Sequence, residues 1–419
     1  MKPSVPKGTV TAPPSKSYTH RAMVLGALTH GQFSLRHPLN SEDTKATLDA
    51  LYALGTEFRT TTDGLAIHCE NLRRAVGTID ARNSGTTIRL MSGVAALLPA
   101  KTILTGDESL VKRPMGPLVD ALTQLGAKCQ YLSAKGKPPL SIEGPMSGSG
   151  AEIHGDVSSQ FVSSLLIACT QKPGETHIKL KTPLRSGPYV DITLEMIREF
   201  GGEVEEKRDG FQLRGEQGLS LDTYTVPGDY SSASFPLSAA AITGGSVTVR
   251  NLEPESAQGD RAILKHLKAF GAKVTVGKDW VKVEGDRLQG TNIDVRHTPD
   301  LFPVLCVLGS VAEGSTKIAG GENLREKESD RIASTTSFLK NMGASIVPTK
   351  DGCEITGTKR LHGASVQTQG DHRILMAAAV AALGASSETR IDDDSSYSVS
   401  YPGFIRDMHQ LGCRMAVVR

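Results

Sequence analysis

A pattern of about 70 residues recurs six times along this 419-residue chain, and that repeat restricts the fold more than any single stretch does. Each copy opens with a short strand-like run and a polar prelude. An alanine-rich apolar helix pattern follows, starting near residues 17, 86, 159, 231, 299 and 372. The preludes are Lys16-Ser17, Asn83-Ser84-Gly85-Thr86, Ser158-Ser159-Gln160, Asp229-Tyr230-Ser231-Ser232, Thr298-Pro299-Asp300 and Asp371-His372-Arg373. Most of these helices lead to Gly-rich punctuation and a β-branched strand, as in Gly244-Gly245-Ser246-Val247-Thr248-Val249. A second amphipathic helix then ends near Gly55, Gly126, Gly201, Gly271, Gly343 or Gly412, the residue type suited to a left-handed helix stop. Five copies continue into a hairpin, for example Lys273–Val276 turning at Lys278-Asp279 into Trp280–Val283. The sixth is expected to stop at one strand, Arg414–Val418.

The unit is therefore β-α-β-α-β-β, with two helices on one side of a four-stranded sheet, which satisfies the layer and crossover rules. The chain is too long for one ordinary core. The expected fold is α/β, with two lobes of three βαβαββ units each and a boundary at Thr225-Val226-Pro227-Gly228.

Three helix starts converging in each lobe would favour an anion, because free amides and the helix dipole point there. The first start is the richest. In Pro13-Pro14-Ser15-Lys16-Ser17-Tyr18-Thr19-His20-Arg21, either Ser15 or Ser17 can cap the helix, Lys16 lies beside the free amides, and Arg21 follows Ser17 by one turn. The bland alternative is a capped helix with solvated charges. Arg113 precedes a second helix, and Ser158-Ser159-Gln160 offers two hydroxyls and an amide. The densest charge cluster is Glu322-Asn323-Leu324-Arg325-Glu326-Lys327-Glu328-Ser329-Asp330-Arg331. On a helix, Asn323, Lys327 and Arg331 would share one face with Glu328 beside it, although such i,i+4 charges are often only surface ion pairs.

Composition narrows the ligand class. The formal net charge is +2 and no dense basic run is present, which argues against nucleic acid. Six scattered cysteines have no metal spacing, and no second histidine stands at ligand spacing from His372. Neither an apolar leader nor an apolar run of spanning length is seen, so the expected location is the cytoplasm, away from membranes.

The motifs Pro-Ser-Lys-Ser-x-x-x-Arg (14–21), Asn-Ser-Gly-Thr-x-x-Arg (83–89), Lys-Arg-Pro-Met (112–115), Ser-Ser-Gln-Phe (158–161), Lys-Glu-Ser-Asp-Arg (327–331) and Asp-His-Arg (371–373) together resemble the 5-enolpyruvylshikimate-3-phosphate synthase family. The resemblance runs through the whole chain in order. It implies an enolpyruvyl transferase-like inside-out α/β barrel. It also implies a first lobe at 15–226 on the shikimate 3-phosphate side. The second lobe, 1–14 plus 227–419, would carry the catalytic acids and the phosphoenolpyruvate arginines. Lys16, Ser17, Arg21, Ser158, Ser159, Gln160, Ser186, Asp300, Asn323 and Lys327 would bind shikimate 3-phosphate, with Tyr189 against its ring. Lys16, Gly85, Arg113, Gln160, Arg331 and Arg373 would bind phosphoenolpyruvate. Asp300 would handle a hydroxyl proton, and Glu328 with Lys16 a methylene proton. No metal or organic cofactor is implied, and a monomer is expected.

One departure stands out. Where the family often has lysine before Ser/Thr-aromatic-Pro, this chain has Val399-Ser400-Tyr401-Pro402, so one cation is missing. The rival reading within the fold is a UDP-N-acetylglucosamine enolpyruvyl transferase, whose reactive loop carries cysteine where this chain has Glu108. A rival of another class is an anion-binding protein without turnover.

Overall fold

The computed structural model describes residues 1–29 and 31–417. Two compact units are present, one of Pro14–Val226 and one of Met1–Pro13 with Pro227–Arg419. Pro14 thus falls with the contiguous unit rather than with the amino-terminal strand. Backbone bonds tie the preceding residues to the other unit: the Ala12 amide donates to Arg250 (2.9 Å), and the Pro13 carbonyl accepts from Asp229 (2.8 Å).

The helices, in chain order, are α1 (Lys16–Leu28), α2 (Glu42–Ala53), α3 (Gly85–Ala95), α4 (Gly116–Gln124), α5 (Ser159–Cys169), α6 (Pro188–Glu199), α7 (Tyr230–Thr243), α8 (Ile263–Ala269), α9 (Phe302–Val311), α10 (Arg331–Asn341), α11 (His372–Gly384) and α12 (Phe404–Gln410). The odd-numbered helices are the ones that follow the polar preludes. Their sequences are small or apolar on every side, so they are buried nearly throughout, as in α7 from Tyr230 to Ala241 and α11 from His372 to Leu383. The even-numbered helices are amphipathic and each stops short of a glycine at positive φ, between 79° at Gly201 and 100° at Gly271.

In the contiguous unit, three four-stranded sheets surround α1, α3 and α5. Each has a parallel first pair followed by an antiparallel hairpin. The second and third contain Thr78–Asp80 beside Thr102–Thr105, and Gly150–His154 beside Glu175–Thr182. The other unit has two such sheets. One contains Asn292–Asp294 beside Ser315–Ala319. Its sixth repeat carries only the pair Ser365–Val366 and Arg390–Ile391. Among the described residues the expected final strand is not formed: Arg414 makes a single bridge to Lys2, and Val418 lies outside the described residues.

The first strands of two repeats are exchanged. Lys7–Thr11, which leads into α1, pairs parallel with Ser246–Arg250 of the two-segment unit (Thr9 opposite Thr248). Thr223–Thr225, which leads towards α7, pairs parallel with Gly31–Arg36 of the contiguous unit (Tyr224 opposite Leu35).

One helix start departs from the repeat. Near 299 the chain makes a 3₁₀ turn, Pro299–Leu301, before α9 begins at Phe302. Pro303 has no amide hydrogen to reach the Pro299 carbonyl, so the first turn closes with the shorter bond from Phe302 to Pro299. Among the described residues, no helix is long and apolar enough to cross a membrane.

Candidate active site

In the contiguous unit, the starts of α1, α3 and α5 meet. Ser15 occupies the N-cap of α1, but neither it nor Ser17 supplies the expected side-chain cap. Lys16, the first residue of α1, pairs with Asp43 on α2 (Nζ–Oδ2 2.8 Å), and both are largely buried. Arg21 is 1% exposed and its hydrogen bonds go to neutral acceptors: Thr193 Oγ1 (2.7 Å), Ser163 Oγ (3.2 Å), and the carbonyls of Tyr189 (2.9 Å) and Ser17 (3.0 Å). Burial lowers its pKa to about 10, which leaves it charged at neutral pH. A buried guanidinium held only by neutral oxygens retains its attraction for an anion.

Ser158 caps α5 by accepting from the Gln160 amide (3.3 Å), and Ser159 is its buried first residue. Gln160 accepts from Arg89 Nη1 (2.5 Å) and donates to Thr86 Oγ1 (2.8 Å), joining α5 to α3. Gly85 opens α3 without a side chain, and a Cβ there would lie 3.2 Å from Nη1 of both Arg113 and Arg89. Arg113 Nη2 is held by Asn83 Oδ1 (2.8 Å) and Ser109 Oγ (3.2 Å). Ser186 sits at φ 55°, a left-handed conformation uncommon for serine, and its buried hydroxyl makes no hydrogen bond among the described residues. Tyr189 follows in the first turn of α6, half-buried.

In the other unit, a buried ion network joins the starts of α9, α10 and α11. Arg331 donates Nε to Asp371 Oδ2 (2.9 Å), Nη1 to Asp300 Oδ1 (2.8 Å) and Nη2 to Glu328 Oε2 (2.6 Å). Arg373 Nη2 donates to Asp300 Oδ2 (3.2 Å), and its guanidinium lies 6.0 Å from the ring centre of Phe235 on α7. Asp371 also caps α11 through the Arg373 amide (2.9 Å), so the carboxylate that holds Arg331 also fixes the start of the helix that carries Arg373.

The electrostatics are strongly coupled. Burial pushes the Asp300 carboxyl up, but Arg373, Arg331 and Lys327 together hold it well below the usual range. Burial works against a charged Arg331, yet Asp371, Glu328 and Asp300 hold its pKa well above the ordinary value. Asp260, bonded to Ser231 at the start of α7, is pushed up to about 7 by burial and by the Asp300 carboxylate.

The segment before α10 is not the single helix that the four-residue spacing suggested. Asn323 lies in a 3₁₀ turn (Glu322–Glu326), Lys327 is extended, and α10 begins only at Arg331. Asp330 caps α10 by accepting from Ala333 (3.0 Å), which breaks the helix before the expected face can form. Asn323 and Lys327 are half-buried on this segment. Val399 lies in the 3₁₀ turn Ser396–Val399, and the exposed Arg406 pairs with Asp407 (2.9 Å).

Sequence reasoning passed over Asp43, Arg89, Asp260 and Asp371. Asp371 and Arg89 stood inside quoted motifs, but a residue at a helix start reads as a cap and one inside a helix reads as packing. Only the fold shows which charge each one meets.

A model of the family described as EPSP synthase (3-phosphoshikimate 1-carboxyvinyltransferase) matches residues 2–408. The 3-phosphoshikimate 1-carboxyvinyltransferase of Methanocorpusculum labreanum is 47% identical over 411 residues, covering 97% of each chain. That of Methanocella arvoryzae is 47% identical over 414 residues, covering 98% of this chain and 97% of the relative. A solved EPSP synthase from Acinetobacter baumannii superposes with a TM-score of 0.83 at 31% identity, covering 98% of this chain and 97% of that one. With sequence, fold and relatives in agreement over nearly the full length, this chain belongs to the EPSP synthase family.

Proposed function

We propose that this chain transfers the enolpyruvyl group of phosphoenolpyruvate to the 5-hydroxyl of shikimate 3-phosphate and releases phosphate, a step of the shikimate pathway. The observation that carries the reading is the network of Asp300, Glu328, Arg331 and Arg373. It places two carboxylates beside two buried arginines in a family of carboxyvinyl transferases.

The contiguous unit supplies Lys16, Ser17, Arg21, Ser158, Ser159, Gln160, Ser186 and Tyr189 towards shikimate 3-phosphate, and Lys16, Gly85, Arg113 and Gln160 towards phosphoenolpyruvate. The other unit adds Asn323 and Lys327 to the first substrate, and Arg331 and Arg373 to the second. Arginine suits this task because its planar fork grips carboxylate and phosphate oxygens in pairs. With no side chain at Gly85, the approach to Arg113 Nη1 is not covered by a Cβ, which would lie 3.2 Å from it.

In the addition step, the 5-hydroxyl oxygen bonds to the enol carbon while its proton passes to Asp300. The methylene carbon takes its proton from Glu328 with Lys16. In the elimination that follows, the methyl group returns a proton to Glu328 as the double bond reforms, and the proton held by Asp300 leaves with the expelled inorganic phosphate. General acid–base catalysis of this kind needs groups that can hold and return a proton.

Incubation with both substrates, with phosphate release followed and the product identified by mass, tests the reading. The expected product is the enolpyruvyl ether with one phosphate released per turnover. Failure to form it with both substrates saturating would overturn the proposal.

A further inference from the structure

We infer that Asp300 is an internal substitute for a substrate anion: phosphoenolpyruvate replaces its carboxylate on Arg331 and Arg373, and the replacement releases Asp300 to act as the base. The inference rests on the phosphoenolpyruvate reading above.

The geometry carries it. One carboxylate spans both guanidinium groups, with Oδ1 on Arg331 Nη1 (2.8 Å) and Oδ2 on Arg373 Nη2 (3.2 Å). That bridging position is what a substrate anion would need in order to use the two arginines together. The rest of Arg331 is committed, because Nε and Nη2 go to Asp371 and Nη2 also goes to Glu328. Asp371 cannot yield, since its side chain is 0% exposed and it also caps α11. Asp300 is 22% exposed and stands on a short 3₁₀ turn, so it is the carboxylate with room to move. Arg373 offers further donors: its buried Nε and Nη1 make no hydrogen bond among the described residues.

The exchange also explains how a carboxylate so strongly stabilised in its charged form can accept a proton. While it bridges the arginines, Asp300 is held well below the usual carboxylate range and is a poor base. Handing both contacts to the substrate removes much of that stabilisation, and its basicity rises towards the ordinary value. The hydroxyl would then be deprotonated only once its reaction partner is in place.

Two measurements test this. The first is a crystal structure of the wild-type protein with phosphoenolpyruvate. It should show the ligand on Arg331 and Arg373, with both Asp300 oxygens beyond about 3.5 Å from the nitrogens they now contact. Ligand on the arginines with both Asp300 contacts kept would overturn the inference alone. Ligand bound elsewhere would overturn the reading beneath it. The second is calorimetric binding of phosphoenolpyruvate, without shikimate 3-phosphate, to Asp300→Asn. The amide has the same shape but is a weaker competitor for the arginines, so affinity should rise about tenfold even though turnover is lost. Equal or weaker binding by a variant with native circular dichroism would refute the exchange. If the variant does not fold, the crystal structure decides.

Discussion

Arg331→Gln is the most informative perturbation of the buried network. The wild-type guanidinium is 2% exposed and meets three carboxylates, of which Asp371 is wholly buried. The neutral amide would leave those carboxylates facing one another with one cation fewer. Removing one partner of a buried ion pair costs about 3–5 kcal/mol. The Tm of a unit of this size changes by roughly 2–4 °C per kcal/mol, so the expected loss is about 6–20 °C at neutral pH. The sign of the pH dependence follows from Asp300, whose folded pKa is depressed. Such a group contributes stability above its unfolded value near 4, and that contribution is lost as pH falls through the folded value. Arg331 supplies part of the depression, so the gap between variant and wild type should hold level from pH 7 to about 4.5 and narrow only as the pH falls below about 4. Calorimetric melting of both proteins from pH 7 to about 2.5 measures it. A deficit below about 1 kcal/mol, or one that does not change with pH, would refute the account of the network as a paired, desolvated cluster.

Four further outcomes are expected. Glu328→Gln should keep substrate binding and lower kcat by roughly a hundredfold or more, the usual cost of losing a general acid–base; steady-state kinetics with both substrates saturating measures this. Gly85→Ala places a methyl 3.2 Å from Nη1 of Arg113 and of Arg89. The guanidinium groups must give by a few tenths of an ångström, and the phosphoenolpyruvate KM should rise about threefold to tenfold while that for shikimate 3-phosphate stays level. Asp260 has a folded pKa raised to about 7, so its contribution to stability is full below about 4 and is lost as pH rises to 7. Melting of Asp260→Asn from pH 4 to 8 should therefore show its Tm climbing relative to wild type. Val399→Lys restores the cation expected from the family pattern and should lower the phosphoenolpyruvate KM by up to about tenfold, whereas an unchanged or higher KM would exclude that role.

The repeat was legible because its punctuation is chemical. A glycine that must take positive φ at the end of each second helix, and a helix apolar on all sides after each polar prelude, leave marks in a single sequence. The positions of Lys16, Gly85, Gln160 and Arg373 at helix starts were legible for the same reason. The partners of the charges were not. Asp371 and Asp330 both cap helices in the structure, yet only Asp371 turns its carboxylate into the ion network, while Asp330 breaks the expected helix of Asn323, Lys327 and Arg331. Pairing across a sheet was equally hidden for Thr223–Thr225: its short polar sequence says strand but does not say which strand lies beside it.

The exchange of first strands has a consequence for the order in which the chain can be completed during synthesis. Residues 14–226 contain every strand of their own three sheets, including Thr223–Thr225, so this stretch is self-sufficient once it leaves the ribosome. The earliest residues are not. Lys7–Thr11 has to wait until Ser246–Arg250 has been made, more than two hundred residues later, before its amides and carbonyls find partners. A nascent chain halted near residue 226 would therefore hold a finished unit behind an unpaired leading strand. A fragment beginning at Pro227 would expose the edge of Ser246–Arg250, an open template for unwanted pairing until residues 1–13 are supplied as a separate peptide.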